Sequence, residues 1–230
     1  NFTPPLPLQS LRSYVTVTSN HPLSTFWKLD PDSTYLNHGS FGPSPLPVQQ
    51  AREAWSQRLE RQPMRFFCQE MEVELDRTSA VLAEFLKTQP DRLALIDNAT
   101  VAMNVVAASI NLQPDDEILI NDHEYGAVKN IWQAKCRESG AKLVTSILPF
   151  PPAPNEVVTA IESAITPRTK LIVVSHVTSA TACILPIKSI CQMATRHNVP
   201  VCVDGPHAIA MLDVNLNDLG CDYYCASGHK

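Results

Sequence analysis

The sequence predicts an α/β protein, a three-layer sandwich built on a mainly parallel sheet. Short apolar runs alternate along the chain with stretches of helical spacing, which is the pattern of βαβ units. Runs such as "LIVVS" (171–175) and "VCVD" (201–204) are apolar at successive positions, as in strands covered on both faces. Polar and titratable residues gather where the predicted strands end, and in open parallel sheets that is where a ligand sits.

Residues 1–34 are rich in Pro, Ser and Thr without clear periodicity, and they read as an N-terminal arm with a short helix near "LSTFWKL". Residues 35–230 read as one large domain. Helical spacing runs over Pro43–Arg61 and over Gln69–Lys87, where Met71, Leu75, Leu82 and Phe85 recur on one face. Strands are expected at Leu93–Asp97, Glu117–Asn121, Lys142–Leu148, Lys170–Ser175, Pro200–Asp204 and Asp222–Ala226. Between them, Val101–Ile110, Gly126–Ser139, Asn155–Ile165 and Ile187–Arg196 read as helices. The proline cluster "PFPPAP" (149–154) is a loop, and there is no internal repeat.

Composition narrows the function classes. A net charge of −5 over 230 residues, with no Lys/Arg run, provides no field for nucleic acid. No apolar run reaches the roughly 18 residues of a membrane span. The opening "NFTPPLPLQS" has neither the charged nor the apolar region of a signal peptide. Seven cysteines with no CxxC pair read as free thiols in a reducing cytoplasm, and no metal site is expected.

The predicted strand ends deliver "DNAT" (97–100), "NDHEY" (121–125), "SHVTSAT" (175–181), "DGPHA" (204–208) and "SGHK" (227–230). Asp204 closes an apolar strand; taken alone it reads equally as the N-cap of a helix over "HAIAM". Lys230 also follows a strand; taken alone it reads equally as a surface charge. Paired, 26 positions apart and each at a strand end, they suggest pyridoxal 5'-phosphate (PLP). That cofactor needs a lysine for its aldehyde and an acid for its pyridinium nitrogen. Its phosphate needs helix-terminal amides and small hydroxyls, which Ala99 and Thr100 provide, with Ser227 and His229 as further donors. His123 or Tyr125 would flank the ring, and Ser179 or His207 would reach the phenolic oxygen. His176 reads as a structural histidine bonded to a loop carbonyl. Arg65 reads as a solvated arginine or as a contact to substrate or to a partner subunit.

The segments "YLNHGSFGPSP", "NDHEYGAV", "SHVTSATACILPI", "VDGPHA" and "SGHK" resemble the class V aminotransferase family of PLP enzymes, fold type I, and its isopenicillin N epimerase-like branch in particular. The resemblance spans Tyr35 to Lys230. It implies that Lys230 forms the Schiff base, that Asp204 pairs with the ring nitrogen and that His207 contacts the phenolic oxygen. It further implies that Thr100, Ser227, His229 and the Ala99 amide hold phosphate, and that Tyr125 rather than His123 stacks on the ring. Asn37, His38 and Gly39 match the substrate-side loop. A C-terminal small domain carrying the arginine for the substrate carboxylate is expected beyond Lys230, outside this chain.

The function expected is PLP chemistry on a small amino-acid substrate by a homodimer, of epimerase, racemase or aminotransferase type. A C–S lyase or cysteine desulfurase-like enzyme is the alternative, and a non-catalytic scaffold or regulatory relative is the alternative of another class.

Overall fold

In the computed structural model, five runs form strands: β1 (Glu117–Asn121), β2 (Lys142–Ser146), β3 (Thr169–Ser175), β4 (Val201–Asp204) and β5 (Tyr223–Cys225). All pair in parallel, in the order β2-β1-β3-β4-β5. The structure describes residues 22–230, in two units, Asn1–Arg61 and Gln62–Lys230.

The first unit contains a 3₁₀ turn at Pro22–Phe26 and the helices α1 (His38–Phe41) and α2 (Leu46–Arg61). Within it the Trp27 indole donates to the Pro43 carbonyl at 2.9 Å, and the Arg58 guanidinium lies 4.8 Å above the Trp55 ring. The expected arm falls largely on residues 1–21, outside the described residues.

The second unit begins with α3 (Pro63–Arg65), a π turn at Phe66–Glu70 and α4 (Met71–Leu86). It continues with α5 (Ala99–Ser109), α6 (Gly126–Ser139), α7 (Pro154–Ser163), α8 (Ile187–Arg196) and the single-turn α9 (Leu216–Leu219). The strand pleat sorts alternate side chains to opposite faces. Ile118, Ile120, Leu171, Val173 and Cys202 meet α5 and α6 through Met103, Val106 and Trp132. Leu119, Ile172, Val174, Val201 and Val203 meet α7 and α8 through Val157, Ile161, Ile190 and Met193. Both faces of the sheet are therefore covered, which explains why β1 is buried at every position. From β1 the chain steps outward to β2, then returns to the far side of β1 for β3, β4 and β5. The switch of direction between β1 and β3 opens a crevice at their carboxyl ends.

Two expectations are corrected. Leu93–Asp97 is not a strand: among the described residues it pairs with nothing, and Leu95 and Ile96 are exposed. An apolar run becomes a strand only where a neighbouring backbone takes up its amides and carbonyls, and the described sheet stops at β5. On α4 the buried residues are Ala83 and Leu86, whereas Leu75 and Phe85 are exposed.

Candidate active site

Asp204 is the last residue of β4 and stands in register with Ser175, the last residue of β3. Pleat alternation turns both toward the face that carries α5 and α6. Asp204 is only 5% exposed, and among the described residues its carboxylate makes no hydrogen bond or ion pair. Its oxygens are not fully occluded, since among the described residues no sealed side-chain polar atom lacks a partner. Burial, reinforced by the charge of Glu124, pushes the acid up to about 7, against the opposing pull of Lys230. Residues 205–211 form turns rather than a helix, so Asp204 caps no helix. The backbone around it is tied to its neighbours: His176 N–H donates to the Asp204 carbonyl at 2.9 Å, and Gly205 N–H to the Cys225 carbonyl at 2.7 Å. Residue 205 must be glycine, because a Cβ there would overlap the Tyr224 ring.

Glu124, which the sequence reading did not single out, is the second buried acid here, also 5% exposed. Its carboxylate accepts from the Ser175 hydroxyl, from the Tyr125 amide at 2.9 Å and from the Asn121 side-chain amide at 3.4 Å. Burial pushes its acid up, opposed by the Ser175 bond and, more weakly, by the Lys129 charge. Its only sequence signal is membership of "NDHEY"; the Ser175 contact that reveals it joins residues 51 positions apart.

At the start of α5 the Asn98 side chain accepts from Val101 N–H at 3.0 Å, an N-cap. The Ala99 amide donates to the Ser227 hydroxyl oxygen at 3.2 Å. The chain end after β5 is thereby brought to the positive end of a helix. Thr100 and His229 are exposed beside these residues in sequence.

Lys230 is half-buried, and its charge reaches both Asp204 and His207. The His207 ring is half-buried; burial first and then Lys230 hold its pKa below the ordinary imidazole value. His123, after β1, bonds through Nδ1 to the Thr181 hydroxyl at 3.0 Å, and Thr181 bonds Thr178 at 2.7 Å. One face of the His123 ring is taken by Phe150, at a centroid distance of 5.8 Å and an interplanar angle of 18°. Tyr125, which precedes α6, is half-exposed, with no ring partner among the described residues. Ser179 is exposed in the loop after β3.

His176 differs from expectation: its Nδ1 bonds the Tyr224 hydroxyl at 2.9 Å rather than a loop carbonyl. Arg65 pairs with Glu70 at 2.7 Å. Asn37, His38 and Gly39 open the single turn of α1, in the Asn1–Arg61 unit. Cys136, Cys191, Cys202 and Cys225 are buried free thiols, while Cys183 and Cys221 are half-buried.

Residues 44–230 match the family model described as Aminotransferase class-V. The chain is 38% identical over 203 residues to the isopenicillin N epimerase of Streptomyces clavuligerus, covering 88% of this chain and 51% of that one. It is 40% identical over 206 residues to the isopenicillin N epimerase of Amycolatopsis lactamdurans, covering 88% and 52%. Among solved structures it resembles the cystine C-S lyase C-DES in complex with its reaction product cysteine persulfide. There the TM-score is 0.80 at 25% identity, covering 87% of this chain and 54% of that one. The chain thus spans about half the length of the curated relatives it matches. On the family match and on these identities, the chain belongs to the class-V aminotransferase family.

Proposed function

We propose that the protein is a PLP-dependent enzyme acting on a small amino-acid substrate, with isopenicillin N epimerase-like chemistry. The observation that carries this reading is the buried Asp204 carboxylate, unpartnered among the described residues, at a strand end within reach of the Lys230 charge. An acid left in that state favours a cationic ligand.

The residues fit the cofactor. Asp204 offers an open, buried acceptor, Lys230 an amine, and the start of α5 offers an amide and hydroxyls drawn together by the Ala99–Ser227 bond. Bound there, PLP supplies an aldehyde that condenses with amines and a ring that accepts electrons from a substrate Cα. Lys230 would hold the cofactor through its amine and would be the base for the proton at the substrate Cα. Asp204 would pair with the ring nitrogen and favour its protonated form. Ala99 N–H, Thr100, Ser227 and His229 would bind the phosphate. Tyr125 orients the ring, favoured over His123 because Phe150 already covers one face of that imidazole. His207 and Ser179 would be donors for the phenolic oxygen. Asn37, His38 and Gly39 are assigned to the substrate side on the sequence resemblance alone.

Identities of 38% and 40% to two isopenicillin N epimerases favour epimerisation. The likeness to a cystine C–S lyase supports elimination as the second reading. A homodimer is proposed on the same resemblance, and a reducing cytoplasm on seven free cysteines. Among the described residues no helix is long and apolar enough to cross a membrane.

The test is to reconstitute the full-length protein with PLP and supply a panel of L-amino acids, cystine and cysteine-containing peptides. Solvent deuterium incorporation at Cα with inversion supports epimerisation. Release of pyruvate or sulfide replaces that with elimination. Uptake of no PLP refutes the proposal and favours a scaffold role.

A further inference from the structure

Glu124 has no part in the chemistry described so far, yet its surroundings give it one. Ser175 and Asp204 are register partners on β3 and β4, strands that lie about 4.8 Å apart in a sheet. Their side chains rise on the same face. The Ser175 hydroxyl is bonded to Glu124, so the Glu124 carboxylate is held beside that of Asp204. The charged and titratable groups facing the pair are Lys129 from α6, Lys230 and His207 from the loops, Cys202 from β4 and Cys225 from β5, the register partner of Asp204. Tyr224, on the opposite face of β5, also feels the Asp204 charge. Among the described residues none of them forms an ion pair with either acid. The Glu124 charge acts on Asp204, and two buried carboxylates that interact through one neighbouring residue do not titrate independently.

We propose that Glu124 is a positioning residue that acts through Asp204, the pair of carboxylates carrying a single proton until the pyridine nitrogen of the cofactor takes it. This rests on the PLP reading above. In the transfer the carboxyl O–H bond breaks and the ring N–H bond forms. The pair goes from one negative charge to two while the ring goes from neutral to singly positive, and no other reactant is required. Two anions then face one pyridinium, which holds its proton to a higher pH than one anion alone would. The Tyr125 amide bonds the same carboxylate, so the group that sets the ring's charge also fixes the backbone of the residue assigned to stack on it.

Glu124→Gln tests this, because glutamine keeps an oxygen for the Ser175 hydroxyl and the Tyr125 amide but carries no charge. Thermal unfolding and circular dichroism establish that the variant is folded. In the cofactor-free full-length protein, infrared spectra are expected to contain a protonated carboxyl band at pH 7 that Glu124→Gln and Asp204→Asn each remove. In Glu124→Gln the Asp204 half-titration should fall by about one pH unit or more. With ¹⁵N-labelled PLP bound, the ring nitrogen of Glu124→Gln should lose its proton at roughly tenfold lower hydroxide concentration than wild type. Should Glu124→Gln not fold, Ser175→Ala releases Glu124 from its place and is expected to shift both titrations in the same direction. A wild-type protein with no protonated carboxyl at pH 7, or a folded Glu124→Gln whose Asp204 and ring-nitrogen titrations match wild type, overturns the proposal. Wild type that takes up no PLP sinks the cofactor reading instead, and the infrared titration then decides the shared proton by itself.

Discussion

At the amino ends of the strands, buried Glu117 accepts from the Thr166 hydroxyl at 2.5 Å and pairs with Arg168 at 3.4 Å. Beside it, Asp116 accepts from Gln113 N–H at 2.8 Å and lies 3.6 Å from Lys170. At the carboxyl ends of the same sheet, Asp204 and Glu124 are buried to the same depth as Glu117, and among the described residues neither has a cation in contact. One end satisfies its carboxylates within the protein. The other leaves a charge deficit that a ligand can fill. Burial is therefore not what distinguishes the candidate site; missing compensation is.

The comparison breaks first at Asp204. Replacing it with asparagine should weaken PLP binding by about 100-fold or more, the effect of truncating one partner of a buried charge pair; titration followed by cofactor fluorescence measures it. The same substitution should stabilise the cofactor-free protein. In the native state the Asp204 acid sits at about 7, above its ordinary value of 3.8. Between those values the native state binds the extra proton, so its stability falls as pH rises from about 4 to about 7. Asp204→Asn should remove that loss, a gain on the order of 2–4 kcal/mol at pH 8 that vanishes toward pH 4, read from denaturation at both pH values. Glu117→Gln should do the reverse. It leaves Arg168 without its carboxylate and should cost about 1–3 kcal/mol at pH 7 in chemical denaturation, with PLP affinity unchanged. The smallest effect is expected at Ser227→Ala, which takes the acceptor from the Ala99 amide. It should cost about 1 kcal/mol and weaken the binding of a phosphate-bearing ligand by a few-fold in calorimetry.

The sheet was legible because its strands are short apolar runs that pack on both faces, and Glu117–Asn121, Gly126–Ser139 and Ile187–Arg196 begin and end where the sequence pattern places them. Leu93–Asp97 has the same composition but no neighbour, and pairing is a non-local fact that no local pattern contains. The strand-end positions of Asp204 and Lys230 were legible, because each ends or follows an apolar run that forms a strand. Glu124 was not, because its meaning comes from Ser175 and Asp204, which reach it through the sheet rather than along the chain. His176 was read as structural, but its partner, the Tyr224 hydroxyl, lies 48 positions away. Sequence order names the strand ends, and the register between strands decides which of their side chains meet.

The most direct test of the account is the visible absorbance of the full-length protein mixed with PLP, for wild type and Lys230→Ala. Wild type is predicted to develop a band near 420 nm, roughly where protonated imines of this cofactor absorb, that borohydride fixes covalently on the peptide containing Lys230. Lys230→Ala should show neither the band nor the labelled peptide. A colourless wild type, or a band and a label that survive the substitution, would contradict the claim that Lys230 and Asp204 grip one cofactor at the carboxyl end of this sheet.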